Sequence, residues 1–181
     1  MNRIPHLALD QVSPEVATTL NAVKAKIGMI PNLFSTFAHA PVVLDAYLGF
    51  EGQIAKGKLS AKQREIIALA VGQVNGCHYC LSAHTLMGKG AGLSLEDTHH
   101  ARNGKATDAK DNALAQLAHQ IAKERGHITD ANLKAAHDAG LDNELIAEVV
   151  SGVALNTLTN FMNNVAKTKI DFPEVKVELT A

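Results

Sequence analysis

Apolar residues recur at helical spacing along most of the chain. In SPEVATTLNAVKAKIG, Val16, Leu20, Val23 and Ile27 form one stripe, Ser13 offers an N-cap, Pro14 suits the first helical position and Gly28 ends the run. A short helix is expected over Leu33 to Ala38, after the turn MIPN. PVVLDAYLGFEGQIAKG then places Val43, Tyr47, Phe50 and Ile54 at the same period before Gly57 closes it. The next segment, SAKQREIIALAVGQVNG, opens on a Ser60–Gln63 capping box and stops at Gly76. The following helix must therefore begin at the cysteines, running from about Cys77 to Lys89, with later starts at Ser94, Thr107, Thr129 and Asp142.

The helix begun at Asp142 is the longest, and its apolar residues, among them Leu145, Val149, Val153, Leu158, Phe161 and Val165, spread around much of its circumference. Such a helix is central or shared with a neighbouring subunit. Asn160, Asn163 and Asn164 read as polar positions on it. The tail IDFPEVKVELTA alternates like a strand but has no visible partner, so an extended arm is expected over about 168–181. These elements predict an all-α fold, a compact multi-helix bundle forming a single domain over 1–181.

Composition narrows the function. With 181 residues, 46% of them apolar, and a net charge of −1, the chain can bury a real core and offers no nucleic-acid surface. Five Phe, two Tyr and no Trp leave that core to Ala, Leu, Ile and Val, which suits closely packed helices. The amino terminus has no apolar run of signal-peptide length, and Ile66 to Val71 is too short to cross a bilayer. The expectation is a cytoplasmic protein with no membrane partner. In that reducing compartment two cysteines three apart point to catalysis or metal binding before a structural staple.

Both cysteines lie in NGCHYCLSAH. A thiolate at the first turn of a helix gains about 0.3–2 kcal/mol from the dipole and unpaired N–H groups. Half-ionising an ordinary thiol at neutral pH needs about 2 kcal/mol, so a base or cation is expected as well. His84 follows Cys80 by four residues, one turn on and on the same face, and Cys77 lies two turns from it. That spacing assigns His84 to Cys80 and leaves Cys77 close enough to form a disulfide with it. Glu65, set among apolar neighbours in REIIALAV, is the candidate to orient the histidine or take its proton. Its bland alternative is an ion pair with Arg64. Zinc is the rival for CHYC plus His84, yet a second ligand pair is missing. The remaining histidines, His6, His39, His99, His100, His119, His127 and His137, read as ordinary surface or core positions.

The run EIIALAVGQVNGCHYCLSAHTLMGKGAG, Glu65 to Gly92, resembles the signature of the alkylhydroperoxidase D-like branch of the carboxymuconolactone decarboxylase family. Glu65, Cys77, Cys80 and His84 fall in that motif's register, within a redox core of about 41–105, and weaker similarity spans about Ile30 to Val165. The resemblance implies an all-α bundle of the alkylhydroperoxidase D-like type, assembled as a homo-oligomer, trimer or hexamer, and using no haem, flavin or metal cofactor. It also implies a hydroperoxide substrate and an external dithiol reductant, lipoyl or thioredoxin-like. By that family's mechanism Cys80 attacks the peroxide, Cys77 is its disulfide partner, and Glu65 with His84 relays the proton. Two alternatives stay open: a redox-sensing or scaffold oligomer without turnover, and a decarboxylase, which would leave the cysteine pair unused. The sequence departs from relatives with His just before the second cysteine, having Tyr79 there and His78 one place earlier.

Overall fold

A computed structural model describes residues 2–178 of the chain. Among these residues the regular structure is helical: α1 (Pro14–Ile27), α2 (Asn32–Phe37), α3 (Pro41–Ile54), α4 (Ala61–Val74), α5 (His78–Gly90), α6 (Leu95–Arg102), α7 (Ala109–Lys123), α8 (Asp130–Asp138) and α9 (Asn143–Ala166). The punctuation works through the side chains that the pattern singled out. Ser13, Ser60, Ser94, Thr129 and Asp142 each accept a hydrogen bond from a backbone N–H of the first helical turn. Two starts differ from expectation. The α7 cap is Asp108, not Thr107, because Asp108 Oδ1 accepts from both Lys110 N and Asp111 N at 3.0 Å. Cys77 is not the first residue of α5 but its cap, with the helix beginning at His78.

Helix α4 is the centre of the fold. Its residues Ile66 to Gly72 are all buried, and α5, α6, α7 and α9 pack around it. Two apolar clusters result. One joins α4, α7, α8 and α9 through Ile67, Leu69, Leu114, Leu117, Leu141 and Val149. The other lies under α1, α2 and α3, where Leu20, Phe37 and Leu44 pack with Tyr79 and both cysteines. Gly72 lies at the contact of α4 with α5, where an added Cβ would meet Leu81 Cδ2 in ordinary van der Waals contact at 3.4 Å.

Helix α9 corrects one expectation drawn from run length. Among the described residues it alone is long and apolar enough to cross a membrane, although no uninterrupted apolar run shows it. In the fold it is a packing helix, placing Val149, Val153 and the amides of Asn156, Asn160 and Asn163 inside.

The tail beyond α9 is irregular through residue 178, with bends at Phe172, Val177 and Glu178 and no strand among the described residues, and positions 179–181 of the expected arm lie outside the described residues. It is nonetheless tied down. Arg102, only 2% exposed, donates from Nε to Gln73 Oε1 (2.8 Å) and from Nη2 to the carbonyls of Lys176 (2.8 Å) and Val177 (2.7 Å). Val175 N donates to Ser82 Oγ on α5 at 3.0 Å, and Asp171 Oδ2 accepts from Asn32 N at 2.7 Å. The arm's alternation is thus satisfied by side chains of α2, α4, α5 and α6 instead of a partner strand. Arg102→Leu removes three of these donor contacts at once. It is expected to cost about 1–3 kcal/mol in a denaturant titration, with fast hydrogen exchange appearing at the Val175 amide while the core amides stay protected.

Candidate active site

The site is built where α4 turns into α5. Helix α4 ends in a Schellman motif: Gly76 adopts φ 59°, Gly76 N donates to Gln73 O at 3.1 Å, and Cys77 N donates to Gly72 O at 2.9 Å. A left-handed residue is cheap only for glycine, so Gly76 sets the direction in which the chain leaves α4. Cys77 is therefore both the last residue of that motif and the N-cap of α5. Its Sγ accepts from Cys80 N at 3.2 Å. Cys77 and Cys80 form a disulfide, with Cα atoms 5.3 Å apart. Both cysteines are buried, at 0% and 3% exposure.

The antiparallel run of α4 and α5 away from this turn brings Glu65 to His84. Glu65 Oε2 lies 2.8 Å from His84 Nδ1, with the two side chains 18% and 19% exposed. The carboxylate has only acceptor capacity when ionised, so the hydrogen-bonded ring nitrogen is the donor and Nε2 is left to act as a base. Arg64 does not claim this carboxylate: its Nη1 donates to the Leu59 carbonyl at 2.5 Å. The four residues singled out from the motif thus form two pairs on the α4–α5 unit, Glu65 with His84 and Cys77 with Cys80, and His84 stands one turn beyond Cys80 on α5.

The residues between the cysteines are anchors. Tyr79 is buried, its ring stands edge-on to Phe172 at 5.5 Å, and its hydroxyl accepts from Leu33 N at 3.3 Å. Burial, reinforced by Asp171, holds its phenol protonated far above the ordinary tyrosine range. His78 is half-buried, with its Nε2 covered and 3.3 Å from Glu174 Oε1, an ion-pair distance without hydrogen-bond alignment. Tyr47 of α3 packs against Phe34 and Phe37, both with centroids 5.5 Å away, and burial, then the charges of Glu51 and Glu65, push its phenol well up.

Helix α9 supplies what the motif did not announce. Asn75, the residue before Gly76, donates from Nδ2 to Asn160 Oδ1 at 2.9 Å, and Asn164 Nδ2 donates to the Asn75 carbonyl at 2.8 Å. Asn163 Nδ2 donates to Cys80 Sγ at 3.3 Å. These asparagines are contacts to the cysteine turn, not simply polar positions on a packed helix. Their signal in the sequence is the spacing Asn156, Asn160, Asn163, which puts amides on a core-facing stripe, where an apolar residue packs better. Elsewhere, His39 Nε2 pairs with the Pro5 carbonyl (2.7 Å) and His137 Nδ1 with the Leu141 carbonyl (2.9 Å). Among the described residues no group of three or more His, Cys, Asp or Glu side chains is placed to hold a metal ion.

Residues 41–119 match the model of the carboxymuconolactone decarboxylase family, a stretch that contains Glu65, both cysteines and His84. That stretch of the chain, with the site in it, is of the carboxymuconolactone decarboxylase type. Its fold is the alkylhydroperoxidase D-like one. An alkylhydroperoxidase AhpD core, an uncharacterized peroxidase-related protein from Ralstonia eutropha JMP134, superposes with a TM-score of 0.85 at 23% identity, covering 94% of this chain and 92% of that one. A peroxidase-related protein from Silicibacter sp. TM1040 gives 0.80 at 20% identity over 92% and 91% of the two chains. The debrominase Bmp8, in complex with 2,3,4-tribromopyrrole, gives 0.79 at 16% identity over 93% and 91%. No curated protein matches the sequence.

The Cys77–Cys80 disulfide closes a loop of only four residues, so it removes little entropy from the unfolded chain, about 2 kcal/mol at most. Reduction with excess dithiol is therefore expected to leave the far-ultraviolet circular dichroism unchanged and to lower stability by no more than that amount. A cooperative loss of helix on reduction would mark the bond as a staple.

Proposed function

We propose that the protein is a cofactor-free, thiol-dependent peroxidase or disulfide reductase of the antioxidant type. One observation carries the reading: a hydrogen-bonded Glu65–His84 pair stands on the same two helices as a buried Cys77–Cys80 disulfide, one turn from Cys80. A disulfide that contributes little to stability, beside a base oriented by a carboxylate, fits turnover better than scaffolding.

In this mechanism His84 Nε2 takes the Cys80 thiol proton, directly or through one water, and Glu65 stabilises the imidazolium. The thiolate attacks one peroxide oxygen, the O–O bond breaks, and the departing alkoxide takes the proton from His84 to leave as an alcohol. Cys80 is then a sulfenic acid, oxidised by two electrons. The Cys77 sulfur attacks it, expelling water and forming the disulfide. An external dithiol, lipoyl or thioredoxin-like, returns two electrons and two protons through a mixed disulfide. Because neither sulfur is open to solvent, small hydroperoxides enter more readily than a protein reductant docks, and reductive regeneration limits turnover.

Steady-state consumption of hydrogen peroxide and an organic hydroperoxide with dihydrolipoamide tests the proposal. Cys80→Ser is expected to abolish consumption. His84→Ala should slow thiol oxidation by about 10²–10⁴, Glu65→Gln by less, and the double variant should be little worse than His84→Ala alone because the two act as a unit. Disulfide formation without turnover with any dithiol would instead favour a redox sensor. Since Bmp8 is a debrominase, 2,3,4-tribromopyrrole belongs in the same substrate panel.

Assembly as a homo-oligomer, trimer or hexamer, forms part of this reading. Val150, Leu158, Phe161 and Val165 are 48%, 42%, 56% and 58% exposed and align along one face of α9, opposite its buried amides. A second copy covering that face would press α9 onto the cysteine turn. Light scattering at micromolar concentration should give a multiple of the 19.2 kDa chain mass, and Phe161→Glu should lower it. A monomer in the unmodified protein defeats this part of the proposal.

A further inference from the structure

The two sulfurs have different donors. The N-terminal N–H of α5 that a thiolate would seek, Cys80 N, is directed at Cys77 Sγ at 3.2 Å. The helix terminus therefore serves Cys77. Cys80 lies three residues further on, inside the helix, 3% exposed, in an apolar cluster that includes Tyr79, Met162, Ile170 and Phe172. Burial of this kind favours the neutral thiol. His84 can remove the proton, but a base does not by itself stabilise the anion left behind.

Asn163 is the side-chain donor that reaches this sulfur, Nδ2 to Sγ at 3.3 Å. The rest of its environment makes the contact hard to ascribe to packing. Asn163 is 3% exposed, and its Oδ1 is buried without a hydrogen-bond partner. An unpaired buried carbonyl costs about 1–3 kcal/mol, and asparagine is a poor helix former. A leucine there would relieve both costs. A disulfide sulfur is a weak acceptor and repays little of this, whereas a thiolate makes a charge-assisted bond that low dielectric strengthens. The interaction is worth most in the reduced, ionised state.

We infer that Asn163 is a catalytic residue, its carboxamide holding the Cys80 sulfur as the attacking thiolate while the helix terminus serves Cys77. The inference rests on the thiol-peroxidase reading for its catalytic meaning, but the thiolate contact can be measured without any turnover.

The test uses the Cys77→Ser protein, which keeps a single thiol, and follows the rate of alkylation against pH. Asn163→Leu in that background is expected to move the midpoint up by about one unit and so to slow alkylation at neutral pH about tenfold. In the otherwise unmodified chain, at a pH above both midpoints where the Cys80 thiolate is the reduced species, Asn163→Leu should shift the glutathione equilibrium of the Cys77–Cys80 pair about tenfold toward disulfide, because the reduced form loses its support. If Asn163→Leu fails to fold, the isosteric Asn163→Asp serves: a carboxylate facing the sulfur should raise the midpoint further. An unchanged midpoint and an unchanged equilibrium in a folded variant overturn the role of Asn163, whether or not peroxide is consumed. A raised midpoint in a protein that consumes no peroxide upholds the thiolate contact and removes the peroxidase reading instead.

Discussion

Everything at the site depends on the turn between α4 and α5. One residue, Cys77, completes the Schellman motif of the first helix and caps the second, so the cysteine pair is part of the hydrogen bonding that joins them. The same turn runs the two helices back along each other. Glu65, about three turns before that junction, and His84, about two turns after it, meet at 2.8 Å across the helix pair. Changing the direction of the chain at Gly76 would move the sulfurs and the relay together.

A second constraint is the cost of keeping such chemistry dry. The cysteines share an apolar cluster with side chains of α1, α2 and α3, and Tyr79 between them is locked by Phe172 and the Leu33 amide. In that medium each polar group needs a partner. Partners come from α9, whose Asn160 and Asn164 reach Asn75, the residue before Gly76, and whose Asn163 reaches the second sulfur. The buried face of α9 thus supports the site, while its opposite face is exposed and apolar.

The arm adds a third layer. Its backbone is hydrogen-bonded by Arg102 and by Ser82, and Ser82 lies two residues beyond Cys80. Arg102 has no carboxylate partner among the described residues, and burial disfavours its charged form relative to water. Neutral acceptors hold it: two carbonyls and the Gln73 amide oxygen. The resulting strap links α4, α5 and α6 across the outer side of the cysteine helix.

Local rules determined much of this from the sequence. Helix ends at Ser13, Ser60, Gly76, Ser94, Thr129 and Asp142 follow from caps and left-handed glycines acting within a few residues, so they were legible without any knowledge of the rest of the chain. The pairing of His84 with the cysteine helix was legible too, because a spacing of four residues is a fixed geometry on one helix. Tertiary structure decided what crosses between elements. The donor to Cys80 is 83 residues away in sequence, and the acceptors of Arg102 are 74 and 75 away. The choice of Cys77, not Cys80, as the sulfur at the helix terminus required the observed α5 boundary, which periodicity places only to within a residue or two. Periodicity marks which side of a helix is apolar, but which buried amide faces a sulfur depends on how the helices cross, and that is set by packing around α4.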